Sequence, residues 1–333
     1  MSDLLVLTRA ELTGLVGFGD EERAAIEAVY PVVSRRVGSM PPVMRIDVPE
    51  HHGEIDVKTA YLPGFEGIAI KVSAGFFDNP ARGLPSLGGL MVVLDATTGV
   101  PTAALFDGGW LTDLRTALGG AVAAEHLAPL GARSAAVLGA GVQARLQLRA
   151  LVQVRRIERA TIWARRADAA MDLASAASEE LGIEVVTAAT PSAAAAAADV
   201  VVTTTPATEP LLDADALHER LHVTAVGSDA EHKQELGASL LREADLVVCD
   251  HLDQSRRLGE LRRADRCVEA IELGEIVSGH VPGRSSEDAV TVCDLTGTGA
   301  QDTAIADLVV RRARAAGVGT HLDVGDVRPD GPR

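Results

Sequence analysis

SAAVLGAGVQAR, residues 134–145, turns a short apolar strand into a helix within the space of two glycines. The pattern is G-x-G-x-x-A, with Gly139, Gly141 and Ala144 at its fixed positions. Gly139 permits the tight turn, Gly141 lets a pyrophosphate come up to the backbone, and Ala144 lets the new helix pack closely on the sheet. Val142 and Gln143 open that helix, where free N–H groups and the positive dipole end suit phosphates. Taken alone, the pattern also fits a Gly-rich turn with no ligand. Its surroundings add weight. RATIW at 159–163, residues 184–187, VVVT at 200–203, residues 222–226 and LVVC at 246–249 read as further short strands, with helical segments such as 167–181 between them. Short apolar runs separated by helices imply βαβ units. The fold class is therefore α/β, a Rossmann-type doubly wound parallel sheet, with the glycine motif on its first strand, where a dinucleotide fingerprint belongs.

In such a sheet the cofactor lies along the carboxyl ends of the strands. Thr203, Thr204 and Thr205 follow one strand, and Val226, Gly227, Ser228 and Asp229 follow the next. Asp229, just past a glycine, stands where a catalytic acid/base is presented; its plainer role is a helix cap. Gly297 and Gly299, in TGTG at 296–299, offer a second close-backbone site. The second strand ends in Trp163-Ala164-Arg165-Arg166, where an NAD-specific site usually has an acidic residue for the ribose 2′-OH. Arg165 or Arg166 could instead pair a 2′-phosphate or stack on the adenine. The cofactor is read as NAD(H) or NADP(H), with a lean to the phosphorylated form.

The 333 residues favour two domains, and a hydrophobic share of 47% supplies ample core. Net charge is −16 and no Lys/Arg-rich run appears, so nucleic acid is not expected as a partner. The three cysteines lack C-x-x-C spacing, and no secretory leader is evident; a reducing cytoplasm is the expectation. No apolar stretch reaches membrane-spanning length. His51-His52 is an isolated pair without metal-ligand spacing, and no metal is expected.

Upstream of the glycine motif the pattern changes. Residues 1–40 read as helical and peripheral, with Thr8 and Glu11 spaced as a capping box and residues 21–37 as an amphipathic helix. PVMRIDV at 42–48, GEIDVKT at 53–59, GIAIKV at 67–72, LMVVL at 90–94 and the run from 102 read as strands joined by short turns, hence an antiparallel or mixed sheet. Arg45, Asp56, Lys58 and Lys71 are charges set inside these apolar strands. Period-two alternation puts Asp56 and Lys58 on one face. They are either the solvated side of a half-exposed sheet or a pocket for a small acid or zwitterion. Residues 75–89 form a Gly/Pro-rich loop of the length often given to function. A helix is expected to start at Thr112-Asp113, putting Arg115 and Thr116 in its first turn, where an arginine opposes the helix dipole and is tolerable if it faces an anion. A last strand at 289–295 leads into a helix to 316, and the polar tail 318–333 reads as frayed.

Together VMRID, IKVSAGFFDNP, LPSLGGLMVVLD, LTDLRTA, VLGAGVQAR, AVGSDAEHKQEL and TGTGAQD resemble the ornithine cyclodeaminase/μ-crystallin family over residues 40–315. The resemblance implies a discontinuous α+β substrate-binding and dimerisation domain at 1–118 and 300–333, around a dinucleotide domain at 119–299. It implies a homodimer joined through the antiparallel domain, with the active site between domains. Residues matching Arg45, Lys71 and Arg115 would hold the substrate carboxylate, with Lys71 and Asp229 as the catalytic pair and Arg115 and Thr116 also near the cofactor. The family's reactions pass through an imine beside a carboxylate. DVKTAY, FFDNP and LPSLGGLMV look most like the ectoine-utilisation branch, close to iminosuccinate reductases. Asp56 stands where cyclodeaminases carry a Glu for a distal amine, and Lys58 where the family often has an apolar residue. A second cation there favours a second substrate carboxylate. The expected activity is reduction of a small 2-imino acid; ornithine cyclodeamination, or NADPH and ligand binding without turnover, are the rivals.

Overall fold

A computed structural model describes residues 3–325. In chain order the strands are β1 (Asp3–Thr8), β2 (Met44–Val48), β3 (Gly53–Ala60), β4 (Gly67–Phe76), β5 (Leu87–Asp95), β6 (Pro101–Phe106), β7 (Ser134–Leu138), β8 (Arg159–Trp163), β9 (Glu184–Thr187), β10 (Val200–Thr203), β11 (His222–Ala225), β12 (Leu246–Cys249), β13 (Ile271–Glu272), β14 (Thr291–Asp294) and β15 (Thr320–Asp323). The chain divides into two compact units. One comprises residues 1–32, 36–115 and 298–333; the other comprises 33–35 and 116–297.

In the second unit, eight strands lie in the order β13-β12-β14-β11-β10-β7-β8-β9. Their pairings are all parallel. The chain runs outward from β7 through β8 to β9, then returns to the other side of β7 as β10. This reversal makes a crevice at the carboxyl ends of β7 and β10, the usual ligand position in an open α/β sheet. Both faces of the sheet are covered. Ala135, Val137, Val200 and Val202 pack into one core with Leu148 and Leu151 of the helix Val142–Val154. Ala136, Leu138, Val201 and Val223 pack into a core on the other face. Burial on both sides is why these strands read as unbroken apolar runs.

The first unit carries a seven-stranded mixed sheet, ordered β15-β1-β6-β5-β4-β3-β2. β1 runs parallel to β6, and the other neighbours are antiparallel. One face is closed: Leu5, Leu7, Ala60, Ala69, Met91 and Leu105 are buried there. The helix Gly299–Ala316 packs against β3 and β4 on that face. Its Thr303 hydroxyl donates to the Ala60 carbonyl and accepts from the Ala69 N–H, stitching the helix to both strands. On the opposite face Ile46, Ile55, Val57, Ile70, Val72, Val92 and Ala104 all keep solvent exposure.

Several expectations need correction. Residues 3–8 are not helical but form β1, within the sheet, because Leu5 and Leu7 alternate onto its closed face. The Thr8/Glu11 capping box does form, at the start of the helix Arg9–Leu15. The helix expected over 21–37 is two, Asp20–Glu27 and Val29–Ser34. The 75–89 loop is shorter, since Gly75 pairs with Leu87 and carries β4 and β5 into it. The tail contributes β15, antiparallel to β1; residues 326–333 lie outside the described part. Among the described residues no helix is long and apolar enough to cross a membrane.

Candidate active site

Strand register builds the charged part of the first unit. Lys58 on β3 stands directly opposite Lys71 on β4, and Arg45 on β2 directly opposite Asp56 on β3. Opposed and alternate residues share a face. All four therefore lie on the closed face. Arg115 comes from the helix Trp110–Leu127, which begins earlier than expected. Asp107 accepts from the Leu111 N–H at 2.9 Å at that helix start. This puts Arg115 in the second turn, so the first-turn dipole argument does not apply to it.

Lys71 and Arg115 meet at Asp302, a residue that sequence reading missed. Lys71 Nζ lies 2.9 Å from Asp302 Oδ2, and Arg115 Nε 3.0 Å from Asp302 Oδ1. Lys71 is 2% exposed, Arg115 5% and Asp302 0%. Burial, with Arg115 and Lys58 adding repulsion against the pull of Asp302, pushes the Lys71 ammonium down to about 7. Burial pushes Asp302 up, but Lys71 and Arg115 outweigh it and hold the carboxyl below its ordinary value. Lys58, also buried, is near enough to act on both. The one sequence signal for Asp302 was an acid in the first turn of the helix Gly299–Ala316, favourable to the helix dipole.

Arg45 is engaged elsewhere. Its guanidinium bonds Asp47 at 2.8 Å and Glu54, and lies 3.8 Å from Asp56. Partial burial opposes ionisation, but these carboxylates, Asp47 first, leave Arg45 with a raised pKa. Asp56 Oδ1 is buried without a hydrogen-bond partner. The structure thus joins Lys58, Lys71 and Arg115 around Asp302, and gathers Arg45 with Asp56 and Glu54.

In the second unit a cavity of about 390 Å³ opens at the β7/β10 crevice, lined by Gly139, Gly141, Trp163, Arg165, Arg166, Thr204 and Thr205 among others. Gly139 has φ +134°, and a Cβ there would fall 2.3 Å from Thr204 Oγ1. A Cβ on Gly141 would meet nothing within 4 Å, so the backbone there faces open space. Val142 and Gln143 start the helix Val142–Val154, and Ala144 is buried against the sheet. An exposed amide edge at a helix N-terminus, a cavity over it and cationic side chains at the far end suit a dinucleotide.

Other expected residues take different places. Thr203 is wholly buried, its hydroxyl 2.6 Å from Glu235 Oε2, so it supports the crevice from behind. Asp229 pairs with Lys233 at 2.6 Å, an i,i+4 partner that sequence reading passed over. Ser228 is buried and donates to the Lys233 carbonyl. The Gly297 N–H donates to buried Asp250 at 2.7 Å. Gly299 belongs to the first unit, where a Cβ would lie 2.4 Å from the Thr59 carbonyl oxygen; its bareness serves packing on β3. The Thr116 carbonyl accepts from Gln147 at 3.0 Å.

Residues 6–317 match the ornithine cyclodeaminase/mu-crystallin family. A protein of Rhizobium meliloti (strain 1021) with a provisional dehydrogenase name is 50% identical, over 97% of this chain and 100% of that relative. An uncharacterized cyclodeaminase of Sinorhizobium fredii is 47% identical, over 96% of this chain and 99% of that relative. Among solved structures, the iminosuccinate reductase of Paracoccus denitrificans in complex with NAD+ superposes with a TM-score of 0.89 at 31% identity, covering 97% of this chain and 100% of that one. The Delta(1)-pyrroline-2-carboxylate reductase of Thermococcus litoralis, in complex with NADH and L-proline, also reaches 0.89, at 29% identity, covering 96% of this chain and 100% of that one.

Proposed function

The chain belongs to the ornithine cyclodeaminase/mu-crystallin family, and from that premise we propose that it reduces a small 2-imino acid to the amino acid, with iminosuccinate to aspartate as the preferred pair. It is a nicotinamide-dependent oxidoreductase acting on C–N bonds. When bound, the nicotinamide supplies the hydride that the imine carbon receives.

The observation carrying the substrate reading is the convergence of buried Lys58, Lys71 and Arg115 on Asp302. Lys71 and Arg115 share one counterion, so together they offer a fixed positive site for the substrate's α-carboxylate. Fixed cations set the imine carbon in a reactive orientation at little entropic cost. Lys58, on the same face, takes the distal carboxylate. Asp229, held by Lys233 at 2.6 Å, moves the proton at the reacting nitrogen, directly or through water. Arg165 and Arg166 line the dinucleotide cavity and favour a 2′-phosphate, hence NADP(H) beside NAD(H). The first unit serves as substrate-binding and dimerisation domain, its exposed apolar sheet face meeting a second copy.

One observation favours a second reading. Asp56, with a buried and unbonded Oδ1, and Glu54 place acid beside the same face. That arrangement suits the distal amine of ornithine in a cyclodeamination.

The test follows absorbance of the reduced nicotinamide with oxaloacetate plus ammonia, and with pyruvate plus ammonia. A third arm supplies ornithine and oxidised cofactor. Oxidation with oxaloacetate well above pyruvate is expected. Silence there, with ornithine consumed and ammonia released, would move the assignment to cyclodeaminase.

A further inference from the structure

Glu235 is fully buried and is not among the residues lining the dinucleotide cavity. Its carboxylate nevertheless reaches two loops. Oε1 accepts from the Thr205 N–H at 2.6 Å and the Thr205 hydroxyl at 2.7 Å. Oε2 accepts from the Thr203 hydroxyl at 2.6 Å and the Gly227 N–H at 2.7 Å. Thr203 ends β10 and Thr205 lies in the loop after it; Gly227 follows β11, the next parallel strand. The loops approach closely enough that a Cβ on Gly227 would fall 2.2 Å from the Thr205 carbonyl oxygen and 2.6 Å from Glu235 Cδ. Glu235 is itself anchored, since Glu260 accepts from the N–H groups of Glu235 and Leu236 at 2.8 and 3.0 Å.

We infer that Glu235 is a positioning residue whose carboxylate locks the loop after β10 to the loop after β11, setting the cavity wall at Thr204 and Thr205 together with the placement of Asp229. The inference rests on the proposed roles of that cavity and of Asp229. The geometry asks for an acceptor at both ends of the side-chain head, because each oxygen faces one backbone N–H whose direction cannot change. A hydroxyl can turn and accept instead; an amide N–H cannot. A glutamine of the same size therefore fails whichever way it is flipped. Its NH2 group meets the N–H of Thr205 or that of Gly227, and that loop is released.

The experiment titrates reduced nicotinamide fluorescence against parent protein and Glu235→Gln, with thermal melting of each cofactor-free protein alongside. The expected result is a dissociation constant raised about ten- to hundredfold, because binding must re-order the loop whose buried hydrogen bond is lost. Reduced-cofactor affinity within about twofold of the parent, even with an earlier melting transition, would overturn the inference, because a carboxylate that only holds the fold together moves the melt alone. Should Glu235→Gln not fold, Thr203→Val removes one contact and leaves both backbone N–H groups bonded. It is expected to weaken binding about two- to tenfold; unchanged affinity would overturn the inference as well. Parent protein that binds neither NADH nor NADPH would instead bring down the reading of the cavity, and the inference with it.

Discussion

Lys71 is an ammonium kept almost wholly out of water, and its charge depends on company. Below about 7 it is cationic, and above that it releases its proton. If its charge holds the substrate carboxylate, kcat/KM for an imino acid falls as pH rises through about 7. Lys71→Arg, with a guanidinium that stays charged, flattens that limb; a pH profile identical to the parent's would deny Lys71 the role. Lys58→Met is expected to lower kcat/KM about 10- to 150-fold with the dicarboxylate, the loss of one charged hydrogen bond, and to change little with iminopropionate. Equal losses on both substrates would remove the distal-carboxylate role. Lys58 and Lys71 were legible because charges inside apolar strands stand out. Asp302 was not, since it bonds Lys71 from 231 positions away. The pairing exists only once a helix has been laid on the sheet. Arg45 shows the converse limit: its place on a strand was readable, but its capture by Asp47 and Glu54 depends on how β2 turns into β3.

Elements with strong periodicity declared themselves. Strands β7, β10 and β12 are buried on both faces and read as apolar runs with bounds close to those observed. β13, two residues long, has too little pattern to register, and β15 (THLD) is an exposed edge strand without an apolar face. The misreading of β1 has a specific cause. DLLVLT is too short to separate a strand from a helical turn by apolar spacing. The strand's worth to the fold is measurable. Leu7 is fully buried on the closed face beside β6. Leu7→Ala should destabilise the protein by about 2–5 kcal/mol, read from the urea midpoint. A shift within about 0.5 kcal/mol would mean that β1 is peripheral after all.

At the scale of the whole molecule, the exposed apolar face of the seven-stranded sheet stands against a net charge of −16, which drives copies apart. Burial of that face against a second copy is the favourable term that could outweigh the repulsion. Ile70, on β4 near the middle of the sheet, tests it. Ile70→Asp should turn a dimer into a monomer by light scattering, and a parent protein already monomeric would exclude the proposed assembly. The face was present in the sequence as the apolar half of each alternation, in Ile55, Val57, Ile70 and Val72. The connection of the first unit carries a consequence for synthesis. Its strands β1–β6 are translated early, but Asp302 and the rest of the helix that covers β3 and β4 follow the whole second unit. On the ribosome, where chains emerge N-terminal end first, Lys71 and Arg115 are made long before their counterion. The second unit, 116–297, can mature on the nascent chain. The unit that starts first is completed last, and a message broken before codon 298 yields a chain with two cations that have nothing to close on.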